Sequence, residues 1–347
     1  MSPESIEIDG AVGEGGGQML RSALALSVVT GRPFRMVNVR AGRPKPGLAA
    51  QHLAAVRAAA LFADAEVSGA EPKSTVVSFR PRRRKPDGAD FRFDIGTAGS
   101  TTLLLHALYL PLALSGGGTL ALSGGTHVAF APPFEHAAFA LAPLLKRMGV
   151  SLSLSLDSAG YYPRGGGRVT AKVSGAPRPV RLPARGRLLS AEAIIVLSNL
   201  PEHVARRERR TLTRMLERLP LETRTLRPPA PSPGNCVAVA LRFEKSEAVF
   251  SAPGERGRRA EDVAAEAAKA ALDFLETEAV VDRHAADQLM LPAALAGGES
   301  RYIAPALTGH MKTNAEVIRR FLPVEIRFRE GAVTEVRIST TDRSGAG

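Results

Sequence analysis

Only one of the 347 residues, Cys236, is a cysteine. That rules out an internal disulfide framework and leaves no thiolate cluster for a metal. Long apolar runs are missing too. The nearest, Leu103 to Leu114, is too short to span a bilayer and contains His106 and Pro111. The opening Met1-Ser-Pro-Glu-Ser-Ile-Glu-Ile8 does not read as a signal peptide, so a cytoplasmic protein is expected. No two of the seven histidines stand at metal-ligand spacing with a third partner, which argues against a catalytic zinc site. Acidic residues are in deficit, 34 against 46 Lys and Arg, for a formal net charge of +12. That balance favours a polyanionic partner or substrate. The hydrophobic fraction of 44% fits a globular chain, and the length calls for more than one core.

One pattern recurs three times. A small or polar stretch opens at an aspartate, and a Leu/Ala-rich helix closed by glycine follows. The copies run from Asp9 to Gly31, Asp94 to Gly116 and Asp282 to Gly297. A second helix follows each, predicted over 51–62, 134–148 and 313–321, and then alternating strands such as 150–156, 324–328 and 333–338. Period-two alternation gives each sheet one solvated face. The aspartates lie 85 and then 188 residues apart, and the excess of 103 is roughly a domain's worth. A body of residues 1–184 and 278–347, interrupted by a small α/β insert over 185–277, is therefore expected. Within the insert the pattern predicts strand 188–196, helix 202–218, a Pro-rich turn at 227–234, strand 236–243 and helix 261–277. Three repeats, each with helices on one face of a sheet, make the fold class α+β.

Several segments could carry chemistry. Gly13-Glu-Gly-Gly-Gly-Gln18 enters the first helix. Three successive glycines remove every Cβ, so backbone N–H groups can approach an anion at a helix N-terminus. Arg21 follows one turn in, and Glu14 is a candidate ligand for a divalent cation bridging phosphates. The plain alternative is a tight strand-to-helix turn. Arg40-Ala-Gly-Arg43-Pro-Lys45-Pro-Gly47 sets three cations on a stiffened loop before a helix that opens with Gln51-His52. Gly160-Tyr-Tyr-Pro-Arg-Gly-Gly-Gly-Arg168 could contact a nucleic-acid backbone or base, or be a simple hairpin turn. Lys85-Pro-Asp-Gly88 fits the Lys-x-Asp-Gly pattern of lysine nucleotidyl transferases, but a solvated lysine in a basic run is a poor nucleophile.

Among the histidines, His136 and His203 read as helix-surface residues, His127 as a loop residue, and His52, His106 and His284 as lying near repeat-helix ends. His310, in Pro305-Ala-Leu-Thr-Gly-His-Met-Lys-Thr-Asn314, precedes a helix start. A neutral imidazole there could take a phosphoryl or nucleotidyl group and pass it on.

Taken together, these motifs resemble the RNA 3′-terminal phosphate cyclase family nearly end to end. The resemblance rests on Glu14 to Arg21, Arg40 to Leu48 with Gln51-His52, Gly96 to Ser100, Gly124-Gly-Thr126 with Ala131-Pro-Pro133, Tyr162 to Gly167, Ala286-Asp-Gln288, and His310 with Thr313-Asn314. It implies ATP-dependent closure of an RNA 3′-phosphate to a 2′,3′-cyclic phosphate through histidyl-AMP on His310 and an RNA adenylate. It also implies a divalent cation, Mg or Mn, on Glu14. Arg21, Arg40, Arg43 and Gln51 match groups that hold phosphates or RNA. Pro133 matches a proline on one adenine face. His106, His284, Ala285, Ala286, Asp287 and Gln288 fall where the family contacts the nucleotide; His106 replaces an expected glutamine and His284 a stacking tyrosine. The implied fold is three βαβαββ units like the C-terminal domain of translation initiation factor three, with an insert of thioredoxin-like topology. The expected partner is RNA ending in a 3′-phosphate, with no membrane, and a homodimer stays open. The alternative is a non-catalytic RNA-binding, ribosome-assembly branch that lacks the nucleophilic histidine; the presence of His310 favours the enzyme.

Overall fold

The computed structural model describes residues 4–13, 16–82 and 89–341. The first sheet contains β1 (Ile6–Asp9), β2 (Phe34–Val37), β3 (Glu66–Ser68) and β4 (Val77–Arg80), connected through α1 (Gly17–Thr30) and α2 (Ala50–Ala63). Its order is β1-β2-β4-β3, with β1 parallel to β2 and β4 antiparallel to β2 and β3. The second follows with β5 (Ala89–Asp94), α3 (Thr101–Ala113), β6 (Gly118–Gly124), α4 (Phe134–His136), a π-helical turn (Ala137–Leu141), α5 (Ala142–Arg147), β7 (Val150–Ser158) and β8 (Gly167–Gly175). The order β5-β6-β8-β7 repeats the same directions.

The two-residue strand β9 (Arg181–Leu182) comes next, and then a separate sheet interrupts. It is made by β10 (Leu188–Ser198), α6 (Glu202–Met215), β11 (Leu221–Leu226), β12 (Gly234–Phe243), β13 (Glu247–Pro253) and α7 (Ala260–Leu275), in the order β11-β10-β12-β13. The chain returns through α8 (Arg283–Gln288), α9 (Met290–Leu295), β14 (Glu299–Ala304), α10 (Gly309–Phe321), β15 (Val324–Glu330) and β16 (Thr334–Thr340). The last sheet has the order β9-β14-β16-β15, with β9 parallel to β14 and β16 antiparallel to both its neighbours. Three sheets thus share one strand order and one set of directions, and helices bridge the parallel pairs, as parallel pairing demands.

Packing explains the sequence of the central helices. α1 touches α2, α3 and α10, so it needs apolar or small residues on nearly every side. The apolar run Leu103 to Leu114 is α3, buried against α1, α2, β6 and β8. Among the described residues no helix is long and apolar enough to cross a membrane.

The interrupting sheet is buried on both faces, in period-two alternation. Ile195, Val237, Val239 and Leu241 point toward α6 and α7. Ile194, Val196, Cys236 and Ala238 pack on Phe139 and Ala140 of the π-helical turn. The strands β11 and β13 were absent from the sequence expectation, and α6 ends at Met215 rather than 218.

Candidate active site

Glycine decides the geometry where α1 begins. A Cβ on Gly17 would lie 2.0 Å from His52 Nε2 and 3.3 Å from Arg21 Nη1; one on Gly16 would lie 3.0 Å from Arg43 Nη2. Bare backbone at these two positions lets two guanidinium groups and an imidazole close on the start of a helix that has no side-chain cap. Gly13 has φ +64°, and its Cβ would lie 2.4 Å from Thr313 Oγ1, which brings the start of α10 to the same loop. The helices of the first and last sheets therefore meet here.

Beneath the loop runs a polar chain. Gln18 Nε2 donates to Asp287 Oδ2 at 2.6 Å, Asn314 Nδ2 donates to Asp287 O at 3.0 Å, and Ser22 Oγ donates to Asn314 Oδ1 at 2.7 Å. Burial pushes Asp287 up to about 7, against the pull of Arg21 and the Gln18 bond. Burial also brings Arg21 down to about 10. Loss of hydration, reinforced by Arg21, Arg40 and Arg43, lowers His52 to about 3. His106, buried beside the Gln288 backbone, is lowered to about 4 by burial and then by Arg21. Both imidazoles are neutral at pH 7, so they can exchange hydrogen bonds with a nucleotide without adding charge.

His310 is half-buried at the second position of α10, whose N-cap Thr308 accepts from Met311 N at 3.2 Å. His284 and His136 stand nearby. Their rings meet edge-on at 5.6 Å, and His136 Nε2 donates to Asp282 Oδ1 at 2.9 Å. That same oxygen accepts from His284 N and Ala285 N, both at 2.9 Å, and so caps α8. Burial alone would raise Asp282; the charge and hydrogen bond of His136 hold it at about 2. His284 is exposed as a whole residue, yet loss of hydration around its ring, then His136, and more weakly His310, lower it to about 4.

Arg40 donates from Nη1 to Lys45 O at 2.9 Å and Gly47 O at 2.8 Å, so one of its nitrogens braces its own loop. Gln51 is exposed and packs on Gly99 of the loop before α3. Pro133 is buried as the N-cap of α4. Ala285 and Ala286 have side chains in the core, and Tyr302 Oη donates to Ala286 O at 2.6 Å, which leaves them no exposed methyl for a ligand. Glu14 and Lys85 lie outside the described residues. Among the described residues no three His, Cys, Asp or Glu side chains gather as a metal site.

His136 corrects the sequence expectation. It is 1% exposed, not a helix-surface residue, because β12 and β13 cover α4. Asp282, Ser22 and Gln18 were likewise given no role. The one available signal was the recurrent aspartate before each repeat helix, which at Asp282 is a cap and a histidine partner at once.

Eleven buried side-chain polar atoms among the described residues lack a partner, and six cluster here: Gln18 Oε1, Arg21 Nε, His52 Nδ1, His106 Nε2, His136 Nδ1 and Gln288 Oε1. Buried polar groups are normally satisfied, so such a concentration fits a ligand that completes them. The family model for RNA 3′-terminal phosphate cyclase matches residues 12–328. The chain belongs to that family. A protein named RNA 3′-terminal phosphate cyclase from Koribacter versatilis is 44% identical over 98% of this chain and 96% of its own length. One of the same name from Ralstonia nicotianae is 44% identical over 96% and 97%, and one from Saccharolobus islandicus is 41% identical over 92% and 95%. Among solved structures, the enolpyruvyl transferase NikO from Streptomyces tendae is 13% identical with a TM-score of 0.40, covering 96% of this chain and 48% of that one, too weak to bear on fold or chemistry.

Proposed function

We propose that this chain uses ATP to convert an RNA 3′-terminal phosphate into a 2′,3′-cyclic phosphate, with His310 as the nucleophile. One observation carries the reading: unsatisfied buried polar atoms of six residues converge near the start of the helix bearing His310, beside a basic glycine loop. Family membership supports it.

In this reading a ring nitrogen of His310 attacks the α-phosphorus of ATP; a nitrogen–phosphorus bond forms and pyrophosphate leaves. An oxygen of the RNA 3′-phosphate then takes the AMP and frees the imidazole. The neighbouring 2′-OH attacks the activated phosphorus, loses its proton and expels AMP. The hydroxyl is already placed for a five-membered ring, so proximity supplies much of the last step. Arg21, Arg40, Arg43 and Gln51 hold phosphates; Pro133 and His284 flank adenine; His106, Asp287 and Gln288, with the Ala285–Ala286 backbone, contact the nucleotide. The residues fit ATP: cations at a bare helix start meet phosphates, and neutral imidazole and amide groups meet the base. A divalent cation held by Glu14 would neutralise charge on the phosphates.

We also infer that residues 1–184 and 278–347 form one body of three like units, initiation-factor-three-like in topology, and that 185–277 is a thioredoxin-like insert. The shared strand order of three sheets and the separate apolar core between α6, α7 and their sheet support this. RNA then approaches over two cross-bonded loops, where Thr126 N and Gly160 N bond across and Phe130 and Tyr162 are 105% and 80% exposed, open to stack bases.

The test is α-labelled ATP with Mg²⁺ or Mn²⁺. Label should appear on the wild-type protein, chase onto a 3′-phosphorylated oligoribonucleotide, and be absent from His310→Ala. An unlabelled wild type, or a labelled His310→Ala, sinks the reading.

A further inference from the structure

Helix α6 carries five arginines, and they divide into two groups. Arg207 is held by Glu261 through bonds of 2.8 and 2.6 Å, and Arg209 donates to Thr225 Oγ1 at 2.7 Å. These two tie the helix to its neighbours. Arg206, Arg210 and Arg214 are exposed, and among the described residues none has an acidic partner at ion-pair distance. They stand at i, i+4 and i+8, so they form one row about 12 Å long with a charge about every 6 Å. Like charges at this spacing repel and weaken a helix. With Arg209, Thr213 and Glu217 they line an open cleft.

The chain that leads into α6 is bonded to the loop assigned above to incoming RNA. Tyr161 Oη bonds Ser198 Oγ at 3.1 Å at the end of β10, a few residues before α6. Arg164 Nη1 donates to Pro231 O at 3.2 Å, and Ala159 N donates to Pro229 O at 2.8 Å. The chain just before α6 and the segment between β11 and β12 are thus fastened to that loop.

We propose that the Arg206–Arg210–Arg214 face of α6 binds the sugar–phosphate backbone of the substrate RNA, upstream of its 3′ end. This rests on the RNA reading above. The chemistry favours RNA over an acidic protein: the face is a regular row of guanidinium groups with no exposed large apolar residue on α6 to anchor a protein partner. Backbone recognition needs only charge at repeated spacing.

The experiment compares wild type with the triple variant Arg206→Gln, Arg210→Gln, Arg214→Gln. The probes are 3′-phosphorylated single-stranded oligoribonucleotides of about 5 and about 25 nucleotides. The triple variant should bind the long RNA roughly 10- to 100-fold more weakly, and its log–log salt slope should fall by about 2, since each phosphate contact contributes about 0.7 for single strands. Binding of the short RNA and labelling by ATP should not change. The matching triple lysine variant, which keeps the charge, should restore most of the slope. Unchanged long-RNA affinity and slope in the Gln variant overturn the proposal. So does selective loss of binding to polyglutamate with RNA binding intact, which would assign the face to an acidic protein. Failure of the wild type to label with ATP would strike the cyclase reading alone, because the RNA titration is read independently.

Discussion

The Asp282 carboxylate accepts from two backbone amides of α8 and from His136. Asp282→Ala removes a cap, worth about 1 kcal/mol, and strands a buried imidazole, worth about 1–3 kcal/mol more. We expect a loss of roughly 2–4 kcal/mol in urea unfolding. Asp282→Asn keeps a capping oxygen and should lose about half as much. A Asp282→Ala protein within about 0.5 kcal/mol of wild type would show that the carboxylate is not holding α8 and α4 together. This residue also shows what was legible. The aspartate before each repeat helix stood out in the sequence; its partner did not. His136 sits in a helix pattern whose other face reads as solvated, and the strands that bury it, β12 and β13, come about a hundred residues later. One-dimensional periodicity cannot register a cover supplied from so far along the chain.

At the scale of elements, two joints can be tested. Gly17→Ala sets two effects against each other. Alanine is the better helix former by up to about 1 kcal/mol, but its methyl would sit 2.0 Å from His52 Nε2. The imidazole must swing out of its slot, so ATP labelling should fall by an order of magnitude or more while the thermal midpoint moves little. Labelling at wild-type level would mean that the closeness of glycine and His52 is incidental. The second joint is Arg185. Its Nη1 donates to Phe274 O at 3.1 Å and Ala279 O at 3.0 Å, its Nη2 donates to Leu275 O at 2.8 Å, and its guanidinium lies 5.1 and 5.0 Å from the Phe243 and Phe274 rings. It closes the C-terminal end of α7 on the chain's entry into the interrupting sheet. Arg185→Ala should cost roughly 2–4 kcal/mol, read by thermal unfolding, with ATP labelling of the folded protein unchanged. Arg185→Lys cannot reach all three carbonyls and should recover only part. The sheet near this joint was half legible. β10 and β12 announce themselves by Val, Ile and Leu, whereas β11 (Leu-Glu-Thr-Arg-Thr-Leu) is an edge strand with charged residues, and β13 mixes Ala, Ser and Pro.

Across the whole molecule, the aspartate spacing pointed to an insert of about a domain and the segment pattern to residues 185–277, but neither announced β9. β9 precedes the interruption and completes the last sheet, and a two-residue strand leaves no readable pattern. What the folding of distant segments onto one point does leave is a pH signature. His52, His106 and His284 are lowered to about 3, 4 and 4, whereas in the unfolded chain they titrate near 6.5. Between about pH 4 and 6.5 the unfolded chain therefore binds these protons and the native protein does not, so their contribution is complete above about pH 6.5 and is lost on acidification. Asp287 and Glu208 act oppositely: burial raises them to about 7 from 3.8 and 4.5, so each keeps a proton in the native state over most of the same window. Three protons on the unfolded side against two on the native side leave a net of about one, so stability should rise with pH through this window. Removing two of the three histidines should reverse the balance. The double variant His52→Gln, His106→Gln should turn the rise in urea-unfolding free energy between about pH 4 and 6.5 into a shallow fall, a change of up to two protons' worth of slope, about 2.7 kcal/mol per pH unit. If the variant's profile parallels wild type across that window, the histidines are not held neutral by the folded site, and a pocket of uncharged imidazoles facing a nucleotide is the wrong description of it.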